Sequence, residues 1–301
     1  MRRALISVGV NKTGGLPTLR AAAAGAQKMA DWARGQGYDS NLLTDSSGQP
    51  VRLADLIAAI QTVVEKRSYD QLVVFFSGHG MLKGPDYEIW LLSGSPSNPN
   101  EAVNVPGSIA LARNCGIPHV AIISDACRSM PTSMNIGQVM GSVIFPNESP
   151  RSPRPEVDLF YATLPSDPAM EVPPDKAASE YRGIFTECLL RGLSGQIAEV
   201  QRQVPGPKGA IIVVPSRPLK KYLEVAVPHE ASAISIKLHQ DPEIRVESDM
   251  PTYLAEFPNA EAIPLTQHPN SRYPPLEGLH VRSVSFILTR VPPSTEGGKS
   301  F

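Results

Sequence analysis

Two short apolar runs constrain this chain more than any other feature. Leu72-Val73-Val74-Phe75-Phe76 stops at Ser77-Gly78-His79-Gly80, and His119-Val120-Ala121-Ile122-Ile123 stops at Ser124-Asp125-Ala126-Cys127-Arg128-Ser129. Each run is β-branched or aromatic and gives way at once to small and polar residues. That is the pattern of a strand buried on both faces with functional residues at its C-terminal tip. Open α/β sheets bind ligands outside the carboxyl ends of their strands. The two tips are therefore expected side by side, turning one histidine and one cysteine toward the same crevice. A thiol needs a base or a positive neighbour to become a thiolate, and imidazole supplies either. The expected reacting pair is Cys127 with His79. The competing reading makes Gly78-His79-Gly80 a tight turn and Cys127 a core thiol; two such motifs together weigh against it.

The rest of the first half fits an alternating α/β order. Residues 4–10 read as the first, central strand, and 19–34 as an amphipathic helix with Leu19, Ala22, Ala26, Met29 and Ala33 on one face. Residues 38–44 read as a strand and 51–66 as a helix facing inward with Leu53, Leu56, Ile57, Ile60 and Val64. The β-α-β-α-β order calls for a mainly parallel sheet with helices on both faces. A short hairpin strand is expected at 88–92, a loop at 93–104, a helix at 105–115, a strand at 157–163 and a helix at 183–193. Beyond that, 196–209 reads as a linker, 219–224 as helical, and 231–237 and 280–290 as strands. Gly9-Val10-Asn11-Lys12-Thr13-Gly14-Gly15 lacks the residue order of a phosphate loop, so nucleotide binding is not expected.

Composition narrows the class. Net charge is −1 over 301 residues, which suggests neither a nucleic-acid nor an anionic-membrane partner. No stretch approaches the ~20 apolar residues of a membrane span, and residues 4–10 make a better first strand than a signal peptide. Three cysteines, Cys115, Cys127 and Cys188, have no disulfide-framework spacing and point to a reducing cytoplasm. Cys115 and His119 are two potential ligands, too few for a zinc site. The 30 prolines cluster from Pro146 onward, making the second half rich in loops and edge strands and 146–155 an exposed linker.

These residues carry a family resemblance. Caspases place Gln-Ala-Cys about 50 residues after the histidine; here Asp125-Ala126-Cys127-Arg128-Ser129 follows His79, with Cys127 48 residues downstream of it. Ser-Gly-His-Gly and Asp-x-Cys are the forms common in metacaspases and bacterial caspase-like peptidases. The chain is similar to that group over roughly residues 2–195. The resemblance implies an α/β/α sandwich with a large-subunit-like part (1–145), a linker (146–156) and a small-subunit-like part (157–195). Residues 196–301 would be a Pro-rich extension that completes or regulates the small-subunit half. It also implies a cysteine endopeptidase acting on protein substrates under an upstream activator, in a bacterial signalling or antiviral defence cascade, with the linker as a maturation site. The other class to weigh is a catalytically silent caspase-like binding module.

In the expected chemistry His79 takes the thiol proton and Cys127 attacks a peptide carbonyl. The backbone N–H groups of Gly80 and Cys127 are the natural oxyanion donors, since a glycine lets the backbone approach the substrate closely. Asp125 lies two residues before the nucleophile, so period-two alternation puts it on the same side as Cys127. By resemblance the matching aspartate lines the pocket for the residue before the cut and favours Arg or Lys, a guanidinium being bound bidentately; capping the next turn is its simpler role. Ser77 is a further pocket residue by resemblance. The family's second acid, on the first helix, is missing at Ala24-Gly25-Ala26. Asp167 is a candidate replacement, whereas nearby Arg20 would favour an acidic residue before the cut. No cofactor and no metal are expected: only the dispersed acids Asp86, Glu88 and Glu101 lie between Met81 and Asn104, too few for calcium.

Overall fold

The computed structural model describes residues 1–131, 133–150, 154–173, 181–206, 209–235 and 239–258. Strand β1 (Arg3–Gly9), helix α1 (Ala22–Gly35), strand β2 (Asp39–Thr44), helix α2 (Leu53–Glu65) and strand β3 (Gln71–Gly78) alternate as expected. Strands β4 (Gly80–Leu82), β5 (Glu88–Leu91) and β6 (Ala102–Asn104) form a small antiparallel sheet. Helix α3 (Val105–Ala112), strand β7 (His119–Ala126), the one-turn helix α4 (Met134–Gly137) and strand β8 (Glu156–Tyr161) follow. A two-residue pair, β9 (Glu171–Val172) with β10 (Arg182–Gly183), leads into helix α5 (Ile184–Leu193). Then come β11 (Arg202–Gly206), β12 (Gly209–Val214), helix α6 (Ser216–Ile234), β13 (Glu243–Arg245) and β14 (Ala255–Phe257).

The main sheet runs β13-β8-β7-β3-β1-β2, parallel except for β13 at its edge. Period-two alternation sends the side chains of each central strand to opposite faces, and here both faces are dry. Leu5, Val73, Phe75, Ala121, Ile123 and Phe160 pack under α1, α5 and α6. Ile6, Val8, Val74, Phe76, Val120 and Ile122 pack under α2 and α3. That is why β1, β3 and β7 read as unbroken apolar runs. The result is the three-layer α/β/α arrangement expected from the sequence.

Three local expectations need correction. Residues 93–104 are not all loop, because the last three form β6 against β5. Residues 196–209 are not a linker: β11 pairs antiparallel with β12, and Val200, Val213 and Val214 are fully buried. Residues 231–234 are helical rather than extended. Leu219, Tyr222, Leu223, Ala226, Val227 and Ala231 form one stripe at helical spacing against α5, and that stripe overrides the local alternation. Pro228 sits inside this helix and lacks the N–H that would bond the Glu224 carbonyl. The strand expected at 280–290, the tail beyond it, and part of the 146–155 segment lie outside the described residues.

The second half belongs to the same body as the first. Strand β13 pairs with β8, and α6 shares its core with α1, α5 and β1. A buried polar chain ties residues 247–248 to strands β7 and β8. His119 Nε2 bonds Asp158 Oδ2 (2.9 Å), and Asp158 also accepts the Glu247 and Ser248 backbone N–H groups (2.8 and 2.9 Å).

Candidate active site

The register of β3 against β7 places the site. Ser77 lies opposite Asp125 and Gly78 opposite Ala126, so His79 and Cys127 leave the sheet at the same level on adjacent strands. The two tips touch. A Cβ on Gly80 would lie 2.4 Å from the Cys127 carbonyl oxygen and 3.0 Å from Ala126 Cβ, so only glycine fits there.

His79 is half-buried, and its Nε2 lies 2.7 Å from the Pro17 carbonyl in the loop between β1 and α1. A carbonyl only accepts, so in the neutral ring Nε2 holds the proton and Nδ1 keeps the lone pair. Burial lowers the pKa of His79, opposed by the Pro17 bond and by the charge of Glu171. Cys127 is half-buried too, and its Sγ accepts the Ala169 N–H at 3.3 Å. Burial raises its pKa, with the Asp125 and Glu171 charges adding to that and the Ala169 N–H opposing it. Both shifts favour the uncharged pair, a protonated thiol beside a neutral imidazole.

A narrow cleft opens beside the sulfur, lined by Ser77, Asp125, Cys127, Ala169, Glu171 and Gly183 among others. Its cavity volume is about 30 Å³, room for a water or two but not for a long side chain. Asp125 lies at its base at the N-terminus of α5, where the Thr186 hydroxyl and backbone N–H both donate to its carboxylate. Burial nevertheless pushes Asp125 up to about 6. Gly183 makes space for this carboxylate, since a Cβ there would come within 2.5 Å of Asp125 Oδ2.

Residues 1–204 match a family model described as the caspase domain, peptidase family C14. The chain belongs to the caspase-domain peptidase family. That membership makes it a relative of cysteine-type peptidases, hydrolases acting on proteins. Among solved structures, a Geobacter sulfurreducens protein shares the fold with a TM-score of 0.56 and 17% identity, over 85% of this caspase-domain chain and 97% of its own. No curated protein matches.

Of the residues singled out in the sequence, Cys127, Asp125 and Ser77 line one cleft; His79 and Gly80 are not among its lining residues, and follow directly on Gly78, which is. Asp167 is not among the lining residues; its backbone carbonyl accepts the Arg128 N–H (3.0 Å). Arg20 stacks over the Tyr181 ring, 5.1 Å from its centroid. Gly25 faces Thr186, whose methyl would be 3.5 Å from a Cβ at 25.

Two residues to which the sequence assigned no role belong here. Glu171 lines the cleft, and its carboxylate accepts the backbone N–H groups of Arg20 (3.0 Å) and Ala21 (2.8 Å) at the start of α1. Arg128 is 2% exposed; it pairs with Glu88 (3.1 Å) and Glu243, bonds the Thr163 carbonyl (3.1 Å) and stacks on Tyr161. An arginine next to Cys127 reads as surface charge, and nothing local signals its burial. Among the described residues no cluster of three or more His, Cys, Asp or Glu is arranged to hold a metal, and no helix is long and apolar enough to cross a membrane.

Proposed function

We propose that this chain is a cysteine endopeptidase that cuts protein substrates after arginine, and less well after lysine. The observation that carries the reading is that Cys127 shares one cleft with two carboxylates, Asp125 and Glu171, on a strand whose neighbour ends at His79. The imidazole Nδ1 takes the thiol proton as Sγ attacks the peptide carbonyl carbon. The N–H groups of Gly80 and Cys127 hold the oxyanion. The tetrahedral species collapses, the amine leaves with the proton from the imidazolium, and a thioester remains. Water, deprotonated by His79, then releases the acid. Once substrate widens the cleft, a guanidinium entering it meets the carboxyl groups of Asp125 and Glu171, which when ionised offer it acceptors alone.

Residues 196–258 complete the small-subunit half in this reading, supported by β13 on the main sheet and α6 against α5. Segment 146–156 is the maturation site, and the enzyme works in a reducing cytoplasm within a bacterial signalling or defence cascade. The closed cleft and the bonded sulfur favour a second reading, a caspase-like module silent until another molecule opens it.

Fluorogenic peptides that differ only in the residue before the cut test the proposal, together with an arginine-directed chloromethylketone and mapping of the alkylated residue. Turnover of Arg and Lys peptides with modification at Cys127 is expected. Preference for an Asp peptide, or activity that persists in Cys127→Ala, would overturn it.

A further inference from the structure

We propose that Asp45 is a positioning residue for His79, acting through the loop that joins β1 to α1. The inference rests on the reading of His79 and Cys127 as the reacting pair. Among the described residues the ring of His79 is oriented by one hydrogen bond, from Nε2 to the Pro17 carbonyl at 2.7 Å. A loop carbonyl orients a ring only if the loop itself is fixed.

Asp45 fixes it. This carboxylate sits just past the end of β2 and is 7% exposed. Its Oδ1 accepts the Asn11 backbone N–H at 3.0 Å and its Oδ2 the Lys12 N–H at 2.7 Å. Asn11 relays the constraint, because its carbonyl accepts the Leu19 N–H and its Oδ1 accepts the Ala23 N–H on α1, both at 2.9 Å. The chain thus leaves Asn11, turns through a Leu16 N–H to Thr13 carbonyl bond (3.0 Å), and returns to Asn11 at residue 19, carrying Pro17 in between. Two adjacent N–H groups aimed one way need two acceptors. An ionised carboxylate offers both, whereas an amide turns one into a donor. Asp45 is neither among the cleft-lining residues nor a partner of His79 or Cys127, so its effect reaches the pair only through the loop.

The test compares Asp45→Asn, Asp45→Glu and, as a control, exposed Asp55→Asn, in the full-length chain. Three readouts are taken: kcat and KM on an Arg peptide, the NMR titration and tautomer of the His79 ring, and the thermal melt. In Asp45→Asn, kcat is expected to fall about tenfold or more with KM within about twofold, since misplacing a reacting group slows chemistry without weakening substrate binding. The neutral His79 ring should lose its uniform Nε2–H form. Its titration should move down, because the acceptor that favours the charged ring is released; Glu171, whose charge also reaches the ring, is unchanged. Asp45→Glu, with two acceptor oxygens, should recover part of both. A folded Asp45→Asn with wild-type kcat and an unaltered His79 titration refutes the proposal. If Asp45→Asn does not fold, Asp45→Ser, which keeps one acceptor oxygen, is read by the same criteria. Should the wild type cleave no peptide, the peptidase reading fails, yet the NMR comparison still decides whether Asp45 sets the His79 ring.

Discussion

Asp125 is held by Thr186 across the junction of β7 and α5, with hydroxyl and backbone N–H both donating to one buried carboxylate. Even so, burial dominates and raises its pKa to about 6 from 3.8. A carboxyl whose folded pKa is raised holds its proton longer in the folded chain than in the unfolded one. The folded state therefore loses stability as pH rises through that window, and the loss is complete above it. Asp125→Asn should remove the loss, raising stability at pH 7.5 on the order of 1–3 kcal/mol while cutting kcat/KM for an Arg peptide about a hundredfold or more. Melts at pH 4.5 and 7.5 beside peptide kinetics check this; a variant less stable at pH 7.5 than wild type contradicts it.

The thiol of Cys127 is raised and the imidazole of His79 lowered, each chiefly by burial. Near neutral pH the resting pair is then uncharged. Alkylation of Cys127 by iodoacetamide in the free protein should climb as pH passes the ordinary thiol range. A preformed ion pair would instead plateau in the acidic range. A plateau below pH 7 would show the ion pair to be present before substrate arrives.

Glu171 offers both oxygens to the start of α1 and also lines the cleft. Glu171→Gln should lower kcat/KM for Arg peptides about tenfold, the equivalent of about 1.4 kcal/mol, with a smaller loss for an uncharged residue before the cut. Equal losses for charged and uncharged peptides would restrict Glu171 to holding α1.

Arg128 balances Glu88, whose pKa burial raises to about 7 even with the guanidinium alongside. Arg128→Met leaves that carboxyl without its cation in the interior, while Glu243 keeps Arg245, and is expected to destabilise by about 3–5 kcal/mol. Urea unfolding of the variant measures this. A loss under about 1 kcal/mol would mean that the surroundings supply other partners.

Local signals sufficed for the elements whose side chains face one environment. Strands β1, β3 and β7 are buried on both faces, so their residues spell an apolar run, and α1 and α2 bury one stripe each at helical spacing. The elements misread were those in which a distant partner decides. Residues 231–234 alternate like a strand, but Ala231 completes a stripe that begins at Leu219 and packs on α5. Likewise β6, β11 and β13 are short and polar enough that only their neighbours make them strands.

The site divides along the same line. Cys127 and His79 stand out because a small, polar break after an apolar run is written in consecutive residues. That pattern gave the mainly parallel sheet and the neighbouring pair of tips, while the strand order came from the structure. What lies around the tips comes from residues scattered along the chain. Glu171 lines the same cleft as Asp125 from 46 residues away, Thr186 caps Asp125 from a later helix, Pro17 accepts from the histidine, and Asp45 accepts from the loop that carries Pro17. A hydrogen bond between such residues leaves no periodic trace, since it depends on where folding brings two backbones rather than on spacing. The sequence alone therefore determined the layered sheet and the tips that carry His79 and Cys127, and tertiary packing alone decided which carboxylates and carbonyls surround them.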